Sequence, residues 1–105
     1  MDKKIYGLIG LARRAGKVGF GTESSLEAIR KRKAKLVIIA EDAAERTKKN
    51  FEIECNKNII EYRICGNMDE LSNAIGQSNK AVFVILDENF AKEIIKKIDG
   101  GEIIG

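Results

Sequence analysis

Two short stretches, Leu36-Val37-Ile38-Ile39 and Ala81 to Leu86, are apolar without interruption, and each is flanked by segments whose apolar residues recur at helical spacing. A strand without polar alternation has both faces covered, so these stretches predict interior strands of a parallel or mixed sheet with helices on either side. Helices and strands alternate along the chain. That order predicts an α/β fold, a three-layer α/β/α sandwich with a mixed central sheet.

Spacing and end signals predict the remaining elements. Ile5, Leu8, Ile9 and Ala12 predict a helix over Lys3 to Ala15, stopped by the turn Gly16-Lys17-Val18-Gly19. Ser24-x-x-Glu27 is a capping-box pattern, predicting a second helix that starts near Thr22 to Ser24, buries Leu26 and Ile29, and ends in the basic run Arg30 to Lys33. Asp42-x-x-Glu45 predicts the cap of a third, with Ala44, Phe51 and Cys55 inward. After a turn at Asn56 to Asn58, Ile60 to Ile64 predicts a strand. Asn67-x-x-Glu70 then opens a short helix with Leu71, Ala74 and Ile75 inward, and Asp87 leads into a last helix with the stripe Phe90, Ile94, Ile95 and Ile98. One domain is expected over residues 1–99, with a C-terminal tail over 100–105.

A chain of 105 residues, 44% hydrophobic and 33% charged, can build one core without disulfides or metals. No apolar run approaches the roughly 20 residues that span a bilayer, and the charged start Met1 to Lys4 precedes no cleavage site, so a cytoplasmic protein without a membrane partner is expected. Cys55 and Cys65 are expected as reduced, small hydrophobic residues. Histidine is absent, which removes the commonest general acid-base and zinc ligand, and no phosphate-binding loop, dinucleotide fingerprint or paired C-x-x-C is present. An enzyme and a cofactor are therefore not expected. Glu41, Asp42 and Asp87 end the two apolar stretches and admit a divalent-metal reading, but Asp42 and Asp87 are each explained as helix caps, so no metal site is expected.

Charge is distributed unevenly. The first 35 residues carry ten Lys or Arg against three Asp or Glu, a net of +7, while the other 70 carry a net of −4. Clustered cations raise the local potential toward a polyanion such as a phosphate backbone. In an open α/β sheet binding groups collect in the loops at strand ends, which selects Gly16 to Ser25, Glu41 to Glu45 and Gly76 to Lys80. The first is the strongest candidate, because its glycines allow close approach, its helix start offers unpaired N–H groups, and Arg13, Arg14, Lys17, Lys35 and the Arg30 to Arg32 run surround it in sequence. Each feature also has a plainer explanation: Arg13 and Arg14 complement a helix C-terminus, Glu23 and Glu27 serve capping, and Arg30 to Lys35 form a solvated face. The six aromatic residues fall mostly on apolar faces, so recognition is expected through shape and backbone rather than base stacking.

The text Leu8-Ile9-Gly10-Leu11-Ala12-Arg13-Arg14-Ala15-Gly16-Lys17-Val18, then Gly21, then Ala34-Lys35-Leu36-Val37-Ile38-Ile39-Ala40-Glu41-Asp42-Ala43 resembles the small ribosomal and ribonucleoprotein proteins that bind kink-turn RNA, most closely their bacterial YlxQ type. Glu70-Leu71, Ile75-Gly76, Val82-Phe83-Val84 and Phe90-Ala91-Lys92 extend the likeness over nearly the whole chain. The resemblance implies an α/β/α sandwich that inserts the start of its second helix into the widened groove of a bent RNA and covers an extruded base with a later loop. Carried over, it implies phosphate contacts from Arg13, Arg14, Lys17 and Lys35, close approach at Gly21, base contacts from Thr22, Glu23 and Ser24, and a covering loop at Gln77, Ser78, Asn79 and Lys80. Kink-turn binders of this kind typically read Gly-Thr-Asn-Glu at the helix start, with a lysine three residues on. Here Glu23 stands at the asparagine, Ser24 at the glutamate and Glu27 at the lysine, and the later loop lacks apolar residues. The leading expectation is a monomeric, non-catalytic, ribosome-associated protein binding structured RNA, ribosomal RNA first, and no DNA. A protein-interaction module with an acidic partner and a magnesium-dependent phosphate enzyme are the other two readings.

Overall fold

The computed structural model describes residues 1–100. In chain order the elements are α1 (Lys3–Arg14), β1 (Val18–Phe20), α2 (Thr22–Arg30), β2 (Leu36–Ile39), α3 (Glu45–Asn58), β3 (Tyr62–Ile64), α4 (Met68–Ala74), β4 (Val82–Ile85) and α5 (Glu88–Gly100). The four strands form one sheet in the order β1-β4-β2-β3. β4 is antiparallel to both neighbours, with Gly19 opposite Val84 and Val37 opposite Val84, and β2 runs parallel to β3, with Ile38 opposite Arg63. The sheet is mixed, as expected.

Every residue of β2 and β4 is buried, and the alternation of their side chains divides the core in two. Leu36, Ile38, Phe83 and Ile85 pack with Ile5, Ile9 and Ala12 of α1, Leu71 of α4 and Ile94 of α5. On the other face Val37, Ile39, Val82 and Val84 meet Ile29 of α2 and Phe51 and Cys55 of α3. Helices therefore cover both faces, giving the three layers.

Several local expectations differ from the outcome. Val18 to Phe20, read as part of a turn, is an edge strand; a Cβ at Gly19 would lie 3.0 Å from the Val84 side chain, so glycine is what lets β1 pair closely with β4. The Ser24-x-x-Glu27 box does not operate. α2 starts at Thr22 behind Gly21, and no side chain caps it. Asp42 does not cap α3, whose N-cap is Ala44; its Oδ1 instead accepts from the Met68 N–H at 2.9 Å and so serves the start of α4. α3 also runs through the expected Asn56 to Asn58 turn, and β3 is shorter than the predicted strand. Two caps are where they were expected. Asn67 Oδ1 accepts from Glu70 N–H at 2.8 Å, and Asp87 Oδ2 accepts from Phe90 N–H at 2.9 Å. α5 carries through Gly100, and the rest of the expected tail lies outside the described residues.

Both cysteines are free thiols, Cys55 buried and Cys65 partly so. Burial pushes each thiol from 9.0 up to about 11, and burial followed by its hydrogen bond to Glu70 pushes the Tyr6 phenol from 10.0 to about 12. An acid whose folded pKa is raised stabilises the fold fully below its unfolded pKa and loses that contribution as pH rises through the folded value. Thermal melts are thus expected to hold steady up to about pH 9 and to fall progressively between about 9 and 12. Cys55→Ala should flatten part of that decline. A melting temperature insensitive to alkali over this range would show that the three groups do not carry it.

Candidate nucleic-acid interface

Gly21 adopts φ 91° and ψ 158°, a region of backbone space open essentially to glycine alone. This bend turns the chain from β1 into α2, and the Gly21 N–H donates to Val82 O at 2.9 Å, tying the bend to the start of β4. The first intrahelical acceptor is Gly21 O, which takes the Ser25 N–H at 3.1 Å. The N–H groups of Thr22, Glu23 and Ser24 therefore form an uncapped helix start on three exposed residues, with the positive end of the helix dipole behind them. Such a terminus accepts phosphate oxygens or base-edge acceptors.

The loop entering β4 lies alongside. Because Val82 O bonds Gly21 and Ala81 O accepts from Ala40 N–H at 2.9 Å, the segment Gln77 to Lys80 leads into β4 between the start of α2 and the end of β2. Buried Ser72 pins it: its Oγ accepts from Lys80 N–H at 2.9 Å and donates to Lys80 O at 3.2 Å. Asn79 takes φ 55°, the left-handed conformation that asparagine tolerates better than most residues. Gly21 to Ser24 and the Gln77 to Lys80 loop are thus neighbours.

Phe20, immediately before the glycine bend, organises two cations. The Arg13 guanidinium carbon is 5.1 Å and the Lys80 ammonium 5.5 Å from its ring centre, and Arg13 Nη1 also donates to Val18 O at 3.3 Å. Holding two like charges at one ring leaves a local repulsion that a bound anion relieves. Neither Phe20 nor Ser72 stands out in the sequence. Phe20 reads as one more apolar residue, and only the spatial approach of α1 and the β4 loop discloses its role.

Other expected residues lie elsewhere. Lys17 O accepts from Leu86 N–H and Lys35 N–H donates to Ile85 O, both at 2.8 Å, which puts these lysines at the far end of β4 from Val82. Arg14, in the last turn of α1, precedes that same end. The N-terminal +7 is therefore not concentrated around the α2 start, where Arg13 and Lys80 stand with Glu23. The metal reading fails on geometry as well, because Asp42 serves α4 beside the end of β2 while Asp87 caps α5 beyond the opposite end of the sheet.

The family model described as "Ribosomal protein L7Ae/L30e/S12e/Gadd45 family" matches residues 3–96. The chain belongs to that family. Among curated relatives of this L7Ae/L30e-family member, an RNA-binding protein YlxQ of Bacillus subtilis is 34% identical over 94 residues, covering 90% of this chain and 94% of the relative. A protein of the same name from Enterococcus faecium is 39% identical over 105 residues, covering 93% and 94%. Of solved structures, one from Bacillus halodurans, described as of unknown function, superposes with a TM-score of 0.90 at 32% identity, covering 93% of this chain and 99% of that one. The Giardia lamblia 15.5kD RNA binding protein shares the fold, with a TM-score of 0.77 at 22% identity and coverage of 95% and 92%. The family and relatives' names describe RNA-binding and ribosomal-type proteins rather than enzymes. Among the described residues no helix is long and apolar enough to cross a membrane.

Proposed function

We propose that this family member is a non-catalytic, ribosome-associated RNA-binding protein that recognises structured, kinked RNA through the first turn of α2. The observation that carries the reading is the juxtaposition of the uncapped α2 start with the Ser72-pinned Gln77 to Lys80 loop and the Arg13–Phe20–Lys80 cluster. Thr22, Glu23 and Ser24 offer N–H donors to base edges or phosphate, Gly21 admits the backbone closely, and Gln77, Ser78, Asn79 and Lys80 bound the far side of the groove. Arg13 and Lys80 take the phosphates that flank it. The names of the YlxQ relatives support the RNA-binding part of this reading.

Fluorescence anisotropy with a labelled kink-turn RNA and an unbulged RNA duplex of equal length, at several salt concentrations, tests the reading. The kinked RNA should bind at least tenfold tighter, with log affinity falling linearly as log salt rises. Equal affinity for the two would sink recognition of shape. No binding to either leaves the protein-interaction module as the function of this fold.

A further inference from the structure

A second group of exposed cations lies away from the α2 start. Lys17 and Lys35 flank the last residues of β4, one on each neighbouring strand's entry, through the Lys17 O and Lys35 N–H bonds to Leu86 and Ile85. Between them in sequence the turn after α2 is closed by Arg32 N–H to Ile29 O at 3.1 Å and Lys33 N–H to Ala28 O at 2.9 Å. This turn puts Arg32 and Lys33 at the same end. All four side chains are exposed.

The acids near this end have partners. Glu27 pairs with Lys31 at 3.1 Å, Glu54 with Arg30 at 3.8 Å, Glu88 with Lys92 at 3.3 Å and Glu61 with Arg63 at 2.9 Å, while Asp87 caps α5. Lys17, Arg32, Lys33 and Lys35 have no ion pair among the described residues. Compensation of the α2 dipole accounts for Arg30 and Lys31, and Lys17, whose N–H donates to Ala12 O at 2.9 Å, follows the C-terminal end of α1, but Lys35 stands at the entry of β2 with no helix end beside it in sequence. Arg32 is placed at a cost. It occupies the left-handed position of the helix-ending motif, φ 59°, where glycine carries no penalty and stability alone would favour it. From Gly21 back to Lys17 the chain covers roughly 13 Å along β1, so the phosphates these cations meet are not those at the α2 start.

We infer that Lys17, Arg32, Lys33 and Lys35 form a second, sequence-independent contact for RNA phosphates, so that the protein holds two segments of its RNA at once. The inference rests on the RNA-binding reading above, and a plain duplex isolates it, since a regular helix offers the α2 start no opened groove.

The probe is an unbulged A-form RNA duplex at low salt. Wild-type protein should bind it weakly but measurably. The combined variant Lys17→Gln, Arg32→Gly, Lys33→Gln, Lys35→Gln should lower that affinity at least tenfold and flatten the slope of log affinity against log salt by roughly 4. Arg32→Gly alone relieves the strained backbone, so it should melt no lower than wild type while losing about two- to threefold in affinity and about 1 in slope. That variant guards against misfolding of the combined one. Wild-type slope and affinity in the combined variant, or no duplex binding by the wild type at low salt, overturns the inference. If instead the duplex result holds but kinked RNA binds no tighter than the duplex, the second contact stands and the α2 reading fails.

Discussion

With Arg13 and Lys80 both replaced by glutamine, affinity for a kink-turn RNA should fall about a hundredfold at low salt, read by anisotropy, and the salt slope should flatten by about 2. Each cation is held within 6 Å of the Phe20 ring and brought to the bend that starts α2. A charge-assisted hydrogen bond to phosphate contributes about 1.5 kcal/mol or more, so losing two gives a change of about two orders of magnitude. Stability should move much less. Surface cation–ring contacts contribute about 0.5–1 kcal/mol each, so the melting temperature should drop by no more than about ten degrees. Unchanged RNA affinity in a folded variant would remove these side chains from the interface.

The layers were legible in the sequence because the core strands are short, apolar and β-branched, and nothing but coverage on both faces explains Leu36 to Ile39 and Val82 to Ile85. β1 was hidden by its central Gly19, a turn residue by local criteria whose reason is the 3.0 Å approach of Val84 from a strand more than sixty residues away. The caps show the same division. Asn67 and Asp87 act within their own turns and were readable, whereas Asp42 reaches across the loop cluster to Met68, and no local pattern encodes that. At the α2 start, Ser24-x-x-Glu27 resembles a capping box, but the glycine bend at Gly21, φ 91°, sets the N-cap three residues earlier, and Ser25 is buried instead.

The candidate site was half legible for a related reason. Gly21 to Ser24 and Gln77 to Lys80 were singled out from different parts of the chain, and the Gly21–Val82 bond unites them. Lys17 and Lys35 were grouped with them by nearness in sequence. A strand, however, carries the chain from one end of the sheet to the other in a few residues, so neighbours in sequence on either side of β1 or β2 stand at opposite ends. Charge counted along a chain therefore overestimates charge gathered at one site, and here it concealed two positive regions rather than one.

Restoring a cation in place of the α2 acids should have the opposite effect to removing Arg13 and Lys80. Glu23 lies exposed in the first turn of α2, and Glu27 follows one turn on with its carboxylate 3.1 Å from Lys31. Toward RNA both place negative charge where phosphate must approach. The double variant Glu23→Asn, Glu27→Lys changes the local charge by three units, and kink-turn affinity should rise at least tenfold at low salt, with a salt slope steeper by about 1. The fold loses little in exchange: a first-turn carboxylate contributes about 0.3–1 kcal/mol, an exposed pair at i,i+4 about 0.3–0.5, and the new like-charge neighbour of Lys31 costs about as much. Gain of affinity for the kinked RNA but not for a plain duplex would locate the contact at the first turn of α2. An equal gain for both would mean that the added charge acts only through the general field, and affinity unchanged for either would mean that this face of α2 does not meet RNA at all.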